Sequence, residues 1–67
     1  MTFEEFVLGY EQYKLKHKKS MRDGQCLMNY LYICRTDLYE YIEATDYDCF
    51  YASDKVDNTL IFLSENW

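Results

Sequence analysis

Proline is absent from this 67-residue chain, and glycine occurs only at Gly9 and Gly24. A β-rich domain of this length normally carries several glycine or proline turns between its strands, so their scarcity favours helices. No apolar run approaches the length of a transmembrane helix, about 18 residues, and no apolar signal segment follows Met1. These absences predict a cytoplasmic, all-α protein without a membrane segment.

Cysteine is scarce, and Cys26, Cys34 and Cys49 are odd in number and widely spaced, which argues against a disulfide scaffold. We expect reduced thiols that act as small buried hydrophobes. Structural zinc needs four ligands in short paired spacings, which these cysteines and His17 do not form. We therefore predict no metal site and no cofactor.

Catalytic patterns are missing as well. The single histidine, His17, lies in a basic run, and nothing in the sequence ties it to a nucleophile. Asp46 and Asp57 have the spacing of the first and last ligands of a calcium loop. Tyr51, however, takes the place of the glycine that the loop needs, and the final glutamate is missing. The sequence predicts that the protein is not an enzyme.

Aromatic residues are abundant: eight Tyr, four Phe and one Trp make up 19% of the chain. A chain this short forms one domain, residues 1–67, with a thin core that benefits from bulky side chains. We predict three to four short helices around one aromatic core. Homodimerisation would also add buried area, and the sequence leaves it open.

The first helix has the clearest signals. Thr2 and Glu5 fit a capping box, in which hydroxyl and carboxylate each bond a free backbone N–H group. Gly9 inside the helix costs about 1 kcal/mol relative to alanine, which the close approach of another element would explain. The apolar stripe recurs at three- and four-residue steps and comprises Phe3, Phe6, Val7, Tyr10, Tyr13 and His17.

A second helix is predicted from about Asp23 to Arg35, capped by Ser20 or Asp23, and a short third helix begins after the cap Thr36. The side chains expected to face the core from these two helices are Leu27, Tyr30, Leu31, Cys34, Leu38, Tyr41 and Ile42.

Residues 45–51 are too acidic and too short for another long helix, so we predict an ordered loop with Phe50 as its anchor in the core. A last helix runs from about Lys55 to Asn66 after a cap at Ser53 or Asp54. Its expected inward residues are Val56, Leu60, Leu63 and Trp67.

Charge is divided between the two halves of the chain. Residues 1–35 carry six basic and four acidic side chains, whereas residues 36–67 carry eight acidic side chains and only Lys55 as a base. The corresponding net charges are +2 and −7. An acidic surface of this kind disfavours nucleic acid and suits a basic partner.

Tyrosine is in surplus, since eight cannot all fit into so small a core. We expect partial exposure of Tyr32, Tyr39, Tyr47 and Tyr51, either as rings that cover the core with their hydroxyls in water or as contacts for a protein partner. The predicted partner-binding residues, here called the acidic tyrosine face, are Tyr39, Glu40, Glu43, Asp46, Tyr47, Asp48 and Tyr51.

A lysine-rich segment ends the first helix and supports an alternative. Lysines beside a tyrosine can neutralise phosphates and stack a base, although they also complement the helix dipole. The candidate nucleic-acid residues, here called the lysine run, are Tyr13, Lys14, Lys16, Lys18 and Lys19.

Three segments resemble a family of short uncharacterised proteins from bacteriophages and bacterial genomes. They are Met21-Arg-Asp-Gly-Gln-Cys-Leu-Met-Asn-Tyr-Leu, Asp37-Leu-Tyr-Glu and Thr45-Asp-Tyr-Asp-Cys-Phe-Tyr. This chain has Thr36 and Cys49 where the family pattern has prolines. The resemblance implies a phage or mobile-element origin and no enzyme activity.

The polar residues of the first segment favour a structural use. Gln25 and Asn29 lie four apart on one helix face, so their amides can close a turn or satisfy backbone groups at the junction between helix and loop, and Arg22 belongs to the same stretch. The combined prediction is a small phage-encoded protein that binds and modulates a host protein, with inhibition as one form, in the bacterial cytoplasm. The alternative is a nucleic-acid-associated accessory protein.

Overall fold

The computed structural model describes all 67 residues and confirms the all-α prediction. It contains four α-helices, one 3-10 turn and no strand. A membrane span would need a longer and more apolar helix than any of the four. The helices are α1, Phe3–His17; α2, Asp23–Cys34; α3, Thr36–Ile42; and α4, Val56–Asn66, and the 3-10 turn is Ser53–Lys55.

The core is centred on α2, which packs against α1, α3, α4 and the 3-10 turn. Each α-helix contributes at least one side chain with almost no exposed surface, so no helix is peripheral to the core. Thr59 is the one buried polar side chain. The buried hydrophobic residues are Phe6, Tyr10, Cys26, Leu27, Met28, Leu31, Leu38, Ile42, Cys49 and Leu63.

Helix α1 begins with the predicted capping box. The Thr2 amide donates to Glu5 Oε1 at 2.8 Å, and the Glu5 amide donates to Thr2 Oγ1 at 3.1 Å. Gly9 has the close neighbour that its position suggested. A Cβ at residue 9 would lie 1.9 Å from the hydroxyl oxygen of Tyr30 on α2, so glycine lets the two helices approach.

The capping predictions for the later helices are wrong. Arg22 is the residue before α2, and its side chain makes no capping bond. The Gly24 amide instead donates to Ser53 Oγ at 3.0 Å, so Ser53 caps α2 from a distant part of the chain rather than α4. Thr36 is the first residue of α3, and its hydroxyl donates to the Tyr32 carbonyl at 2.7 Å.

One core assignment is wrong and another holds only in part. Tyr41 is 71% exposed, whereas Leu38 and Ile42 are the buried residues of the short α3. Phe50 is half-buried, and the neighbouring Cys49 takes the core position, where its thiol donates to the Gly24 carbonyl at 3.6 Å. The space beside Gly24 admits this loop so closely that a Cβ there would lie 1.9 Å from the Cys49 carbonyl oxygen.

Aromatic rings link α1, α2 and the end of α4 into one group, the front aromatic cluster of Phe3, Phe6, Tyr13, Tyr30 and Trp67. The Phe6 ring centre lies 5.4 Å from that of Tyr30 and 4.9 Å from that of Trp67. Tyr13 adds a contact of 5.4 Å to Tyr30, and Phe3 one of 5.8 Å to Trp67. All five rings are buried or half-buried.

A cation closes one side of this cluster. The Arg35 guanidinium lies 4.9 Å from the centre of the Trp67 ring and donates to both carboxylate oxygens of Asp37, at 2.9 and 2.7 Å. Those hydrogen bonds lower the pKa of Asp37 to about 2. The Arg35 cation thus has both an aromatic ring and a carboxylate as partners within the molecule.

Candidate protein-interaction face

The acidic tyrosine face is built on the loop between α3 and α4. Helix α3 ends where Ala44 adopts a left-handed conformation, with φ of 63°. The carboxylate of Asp48 then accepts the amide of Ala44 at 2.8 Å and the amide of Phe50 at 3.0 Å. Asp48 therefore stabilises the conformation of the loop, because both oxygens of its carboxylate accept backbone amides.

Helix α4 also holds the same loop in place. The buried hydroxyl of Thr59 donates to the Tyr47 carbonyl at 2.6 Å. The Tyr47 ring stacks on Phe62 of α4, with ring centres 4.2 Å apart, and Tyr41 of α3 lies 6.0 Å from the same Phe62 ring. Three segments of the back half therefore bring their aromatic rings together at one surface.

A hollow of about 330 Å³ opens beside these rings. Tyr47 and Ile61 are exposed by 41% and 58%, so the hollow has an apolar wall that solvent reaches. None of its lining side chains is in an ion pair. The residues that line it, here called the aromatic hollow, are Asp46, Tyr47, Asn58, Ile61, Phe62 and Glu65.

Three other members of the acidic tyrosine face, Tyr39, Asp48 and Tyr51, line a separate, smaller hollow. The neighbouring carboxylate of Glu43 raises the pKa of the half-buried Tyr39. Tyr51 is 86% exposed, and the Arg22 guanidinium lies 5.7 Å from its ring centre. This part of the surface already has a cation of its own.

The seven predicted residues are thus not one continuous site. Asp46 and Tyr47 line the aromatic hollow, and Glu40 is exposed on α3 but lines neither hollow. Sequence reasoning missed the contribution of α4, above all Ile61 and Phe62. The signal that could have found them is their position next to the Val56, Leu60 and Leu63 stripe but off its helical step.

The polar residues singled out around the start of α2 make structural contacts in two of three cases, although not to the backbone groups predicted for the amides. Arg22 donates from its guanidinium to the Phe50 carbonyl at 3.2 Å and so joins α2 to the loop. Asn29 donates to the sulfur of Met21 at 3.4 Å rather than to a backbone group. Gln25 is half-buried and makes no side-chain hydrogen bond.

The lysine run is partly occupied by internal contacts. Tyr13 is half-buried, with its ring centre 4.3 Å from that of His17, which leaves little of the ring free to stack a base. Lys14 pairs with Glu11 at 3.3 Å and lies 5.0 Å from the centre of the Tyr10 ring. The other three lysines of the run are exposed and have no ion-pair partner: Lys16, Lys18 and Lys19.

No three His, Cys, Asp or Glu side chains come together in a way that could hold a metal ion, and all three cysteines are free thiols. No family model, curated protein or solved structure matches the chain. Its surface chemistry is therefore the basis for assigning a function.

Proposed function

We propose that the chain is a small phage-encoded interaction protein that binds and modulates a host protein in the bacterial cytoplasm through the back half of its surface. The observation that carries the proposal is the aromatic hollow, in which the exposed Tyr47 and Ile61 lie beside Asp46 and Glu65, two acids without an ion-pair partner. Tyr41, Ile61 and Tyr51 are 71%, 58% and 86% exposed. Tyrosine is enriched at protein interfaces because a rigid ring offers contact area together with a polar tip.

The surrounding charge supports a basic partner. Residues 36–67 carry a net charge of −7, and Lys55 is their only basic side chain. Carboxylates at the rim of an aromatic patch favour encounter with a positively charged surface and disfavour nucleic acid. Binding would modulate the host protein, with inhibition as one form, by covering part of its surface.

The phage origin rests on the resemblance of the segments that begin at Met21, Asp37 and Thr45 to short phage and prophage proteins. It predicts that the partner is found in a bacterial cell. It also directs the first experiment to bacterial lysate.

Affinity capture from bacterial lysate with three immobilised forms of the protein tests the proposal. The wild type should retain a specific host protein, and Tyr47→Ala combined with Tyr51→Ala should lose it. Leu8→Ala combined with Leu15→Ala is the matched control, because both leucines are exposed on α1. Equal recovery by all three forms, or no specific protein with the wild type, would refute the proposal.

One observation favours the alternative, a nucleic-acid-associated accessory protein. Lys16, Lys18 and Lys19 are exposed near the end of α1 without a carboxylate partner. Binding through them would weaken steeply as salt rises, because phosphate contacts release counterions. A gel shift with short DNA and RNA in about 50 mM salt tests this alternative. Absence of any shift there would remove it.

A further inference from the structure

We infer that the aromatic hollow binds an arginine side chain presented by a basic segment of the partner protein. This inference rests on the proposed function and names the chemistry that its surface would recognise. The support comes from a pattern that recurs in the molecule: an aromatic ring, a carboxylate and a cation lie together elsewhere, whereas the aromatic hollow has only the first two.

The complete form of the pattern occurs twice. Arg35 lies over Trp67 at 4.9 Å and bonds Asp37, and Lys14 lies over Tyr10 at 5.0 Å and pairs with Glu11 at 3.3 Å. Arg22 adds a third cation over aromatic rings, 5.7 Å from that of Tyr51. Cations are attracted to ring faces within about 6 Å, and more strongly where water is partly excluded.

The aromatic hollow offers the same surroundings without a cation. Its Tyr47 and Phe62 rings stack at 4.2 Å, and no Lys or Arg is among the lining residues. Asp46 and Glu65 have no ion pair, and their carboxylates make no side-chain hydrogen bond. By contrast, the Asp48 carboxylate is already bonded to two backbone amides. Phe62 covers one face of the Tyr47 ring, but Tyr47 is still 41% exposed. Two carboxylates without an ion-pair partner beside this exposed ring are complementary to one incoming cation.

Arginine fits these surroundings better than lysine. Its planar guanidinium stacks on an aromatic face while its N–H groups bond carboxylates at the edge, a combination that the compact ammonium of lysine lacks. The molecule itself uses Arg35 in this way. A second copy of the chain is a poorer source, because its two arginines, Arg22 and Arg35, already have internal partners.

The probe is the peptide acetyl-Gly-Arg-Gly-amide, and its control replaces arginine with citrulline, which is neutral and nearly the same shape. Each is titrated into isotopically labelled protein and followed by NMR. The arginine peptide should shift the amides of residues 46–48 and 58–65, and the citrulline peptide should leave them unchanged. Equal shifts with both peptides, or shifts spread over all acidic segments, would overturn the inference.

Two pairs of variants test the side chains. Asp46→Asn with Glu65→Gln should raise the Kd for the arginine peptide about fivefold, since the double change removes two exposed ion pairs, each of modest strength. Glu40→Gln with Asp54→Asn makes the same change in charge outside the hollow and should leave the Kd nearly unchanged. Equal weakening by both pairs would show attraction by net charge alone and overturn the inference.

The ring is tested separately. Tyr47→Leu keeps an apolar side chain and the backbone carbonyl that Thr59 bonds, but removes the stacking surface. This variant should bind the arginine peptide more weakly than the wild type does. Tyr51→Leu, which lies outside the hollow, should bind the peptide as the wild type does. Unchanged binding by Tyr47→Leu would contradict the stacking geometry and overturn the inference.

A dilution series of the free protein tests whether a second copy of the chain occupies the hollow. Amides of the hollow that shift with protein concentration would assign it to a second copy and overturn the inference, whereas constant shifts support it. The peptide titration needs no host protein, so its failure is distinct from that of the lysate capture. A host protein retained through Tyr47 and Tyr51 with no arginine binding would overturn the inference and keep the proposed function.

Discussion

Aromatic side chains gather at two places in this molecule, and the two groups differ in what covers them. The front aromatic cluster joins α1, α2 and the end of α4, and its rings are buried or half-buried with Phe6 fully enclosed. The aromatic group of the back half joins α3, the loop and α4, but Tyr41 and Tyr47 remain 71% and 41% exposed. The front group has Arg35 over its Trp67 ring, and the back group has carboxylates and no cation.

The difference shows that aromatic content alone does not distinguish a core from a binding surface. In the front cluster the rings fill space between helices, so they contribute to folding by removing apolar area from water. In the back half Phe62 packs against the core, but Tyr41 and Tyr47 remain exposed, so folding removes less of their ring area from water. The comparison therefore predicts large effects on stability from the first group and effects on binding from the second.

Replacing Phe6 with alanine should give the largest effect. A fully buried phenylalanine costs about 3 to 5 kcal/mol when truncated, which approaches the whole stability of a domain of this size, roughly 3 to 10 kcal/mol. Tyr41→Ala should cost about 0.5 kcal/mol, as is typical of an exposed site. Urea unfolding followed by circular dichroism measures both. Similar losses for the two variants would break the comparison.

Replacing Gly24 with alanine should give the next largest effect, because this glycine joins the back loop to α2. The new Cβ would lie 1.9 Å from the backbone carbonyl oxygen of Cys49, which can move only with the loop, so we expect a loss of about 1 to 3 kcal/mol.

Gly9→Ala is the matched control for this change, and the same unfolding measurement applies. Its Cβ meets the end of the Tyr30 side chain instead of backbone, and the gain in helix propensity of about 1 kcal/mol offsets part of the strain. A larger loss for Gly9→Ala than for Gly24→Ala would show that the front cluster, rather than the loop, is the tighter contact.

The sequence was most informative where the interactions are local. The capping box of Thr2 and Glu5 spans three residues and correctly located the start of α1, and the absence of proline with few glycines indicated helices throughout. The helical step also identified Leu27 and Leu31 of α2 as fully buried residues, although it missed Met28, which is buried as well. Such contacts depend on neighbours in the chain, which a single sequence displays.

Contacts between distant segments could not be predicted in the same way. Ser53 looked like a cap for the helix that follows it, but its hydroxyl bonds Gly24, 29 residues earlier. Tyr41 has the spacing of a core residue, yet it is exposed. Which face of α3 is buried depends on how that helix packs on α2, and a single sequence does not display this packing. The candidate site also depends on a contact between distant segments, because the loop residue Tyr47 packs against Phe62 of α4.

Alkaline pH should sharpen the contrast between buried and exposed tyrosines. Burial, followed by the charge of Asp23, raises the pKa of Tyr10 well above its usual value, and its hydroxyl donates to the Asp23 carbonyl at 3.2 Å. Because the folded pKa is the higher one, this contribution to stability is complete below about pH 10 and declines as pH rises further, by at most about 1.4 kcal/mol per unit.

Urea unfolding between pH 8 and pH 11 measures this decline (the range brackets the ordinary tyrosine pKa of about 10). Tyr10→Phe should flatten the curve. Burial also raises the pKa values of Cys26 and Cys49, so part of the slope should persist in Tyr10→Phe. An unchanged slope in that variant would contradict the assignment of the decline to Tyr10.

Two neighbouring aspartates in the loop provide the finest test, because they differ in role although both are acidic. Asp48 accepts the amides of Ala44 and Phe50, so Asp48→Ala should cost about 1 kcal/mol and loosen the loop. The Asp46 carboxylate makes no such bond, so Asp46→Ala should leave the free energy of unfolding nearly unchanged while weakening the arginine peptide. If both variants lose stability equally, the loop uses both carboxylates to fold, and the aromatic hollow then has no free charge at Asp46 for a partner.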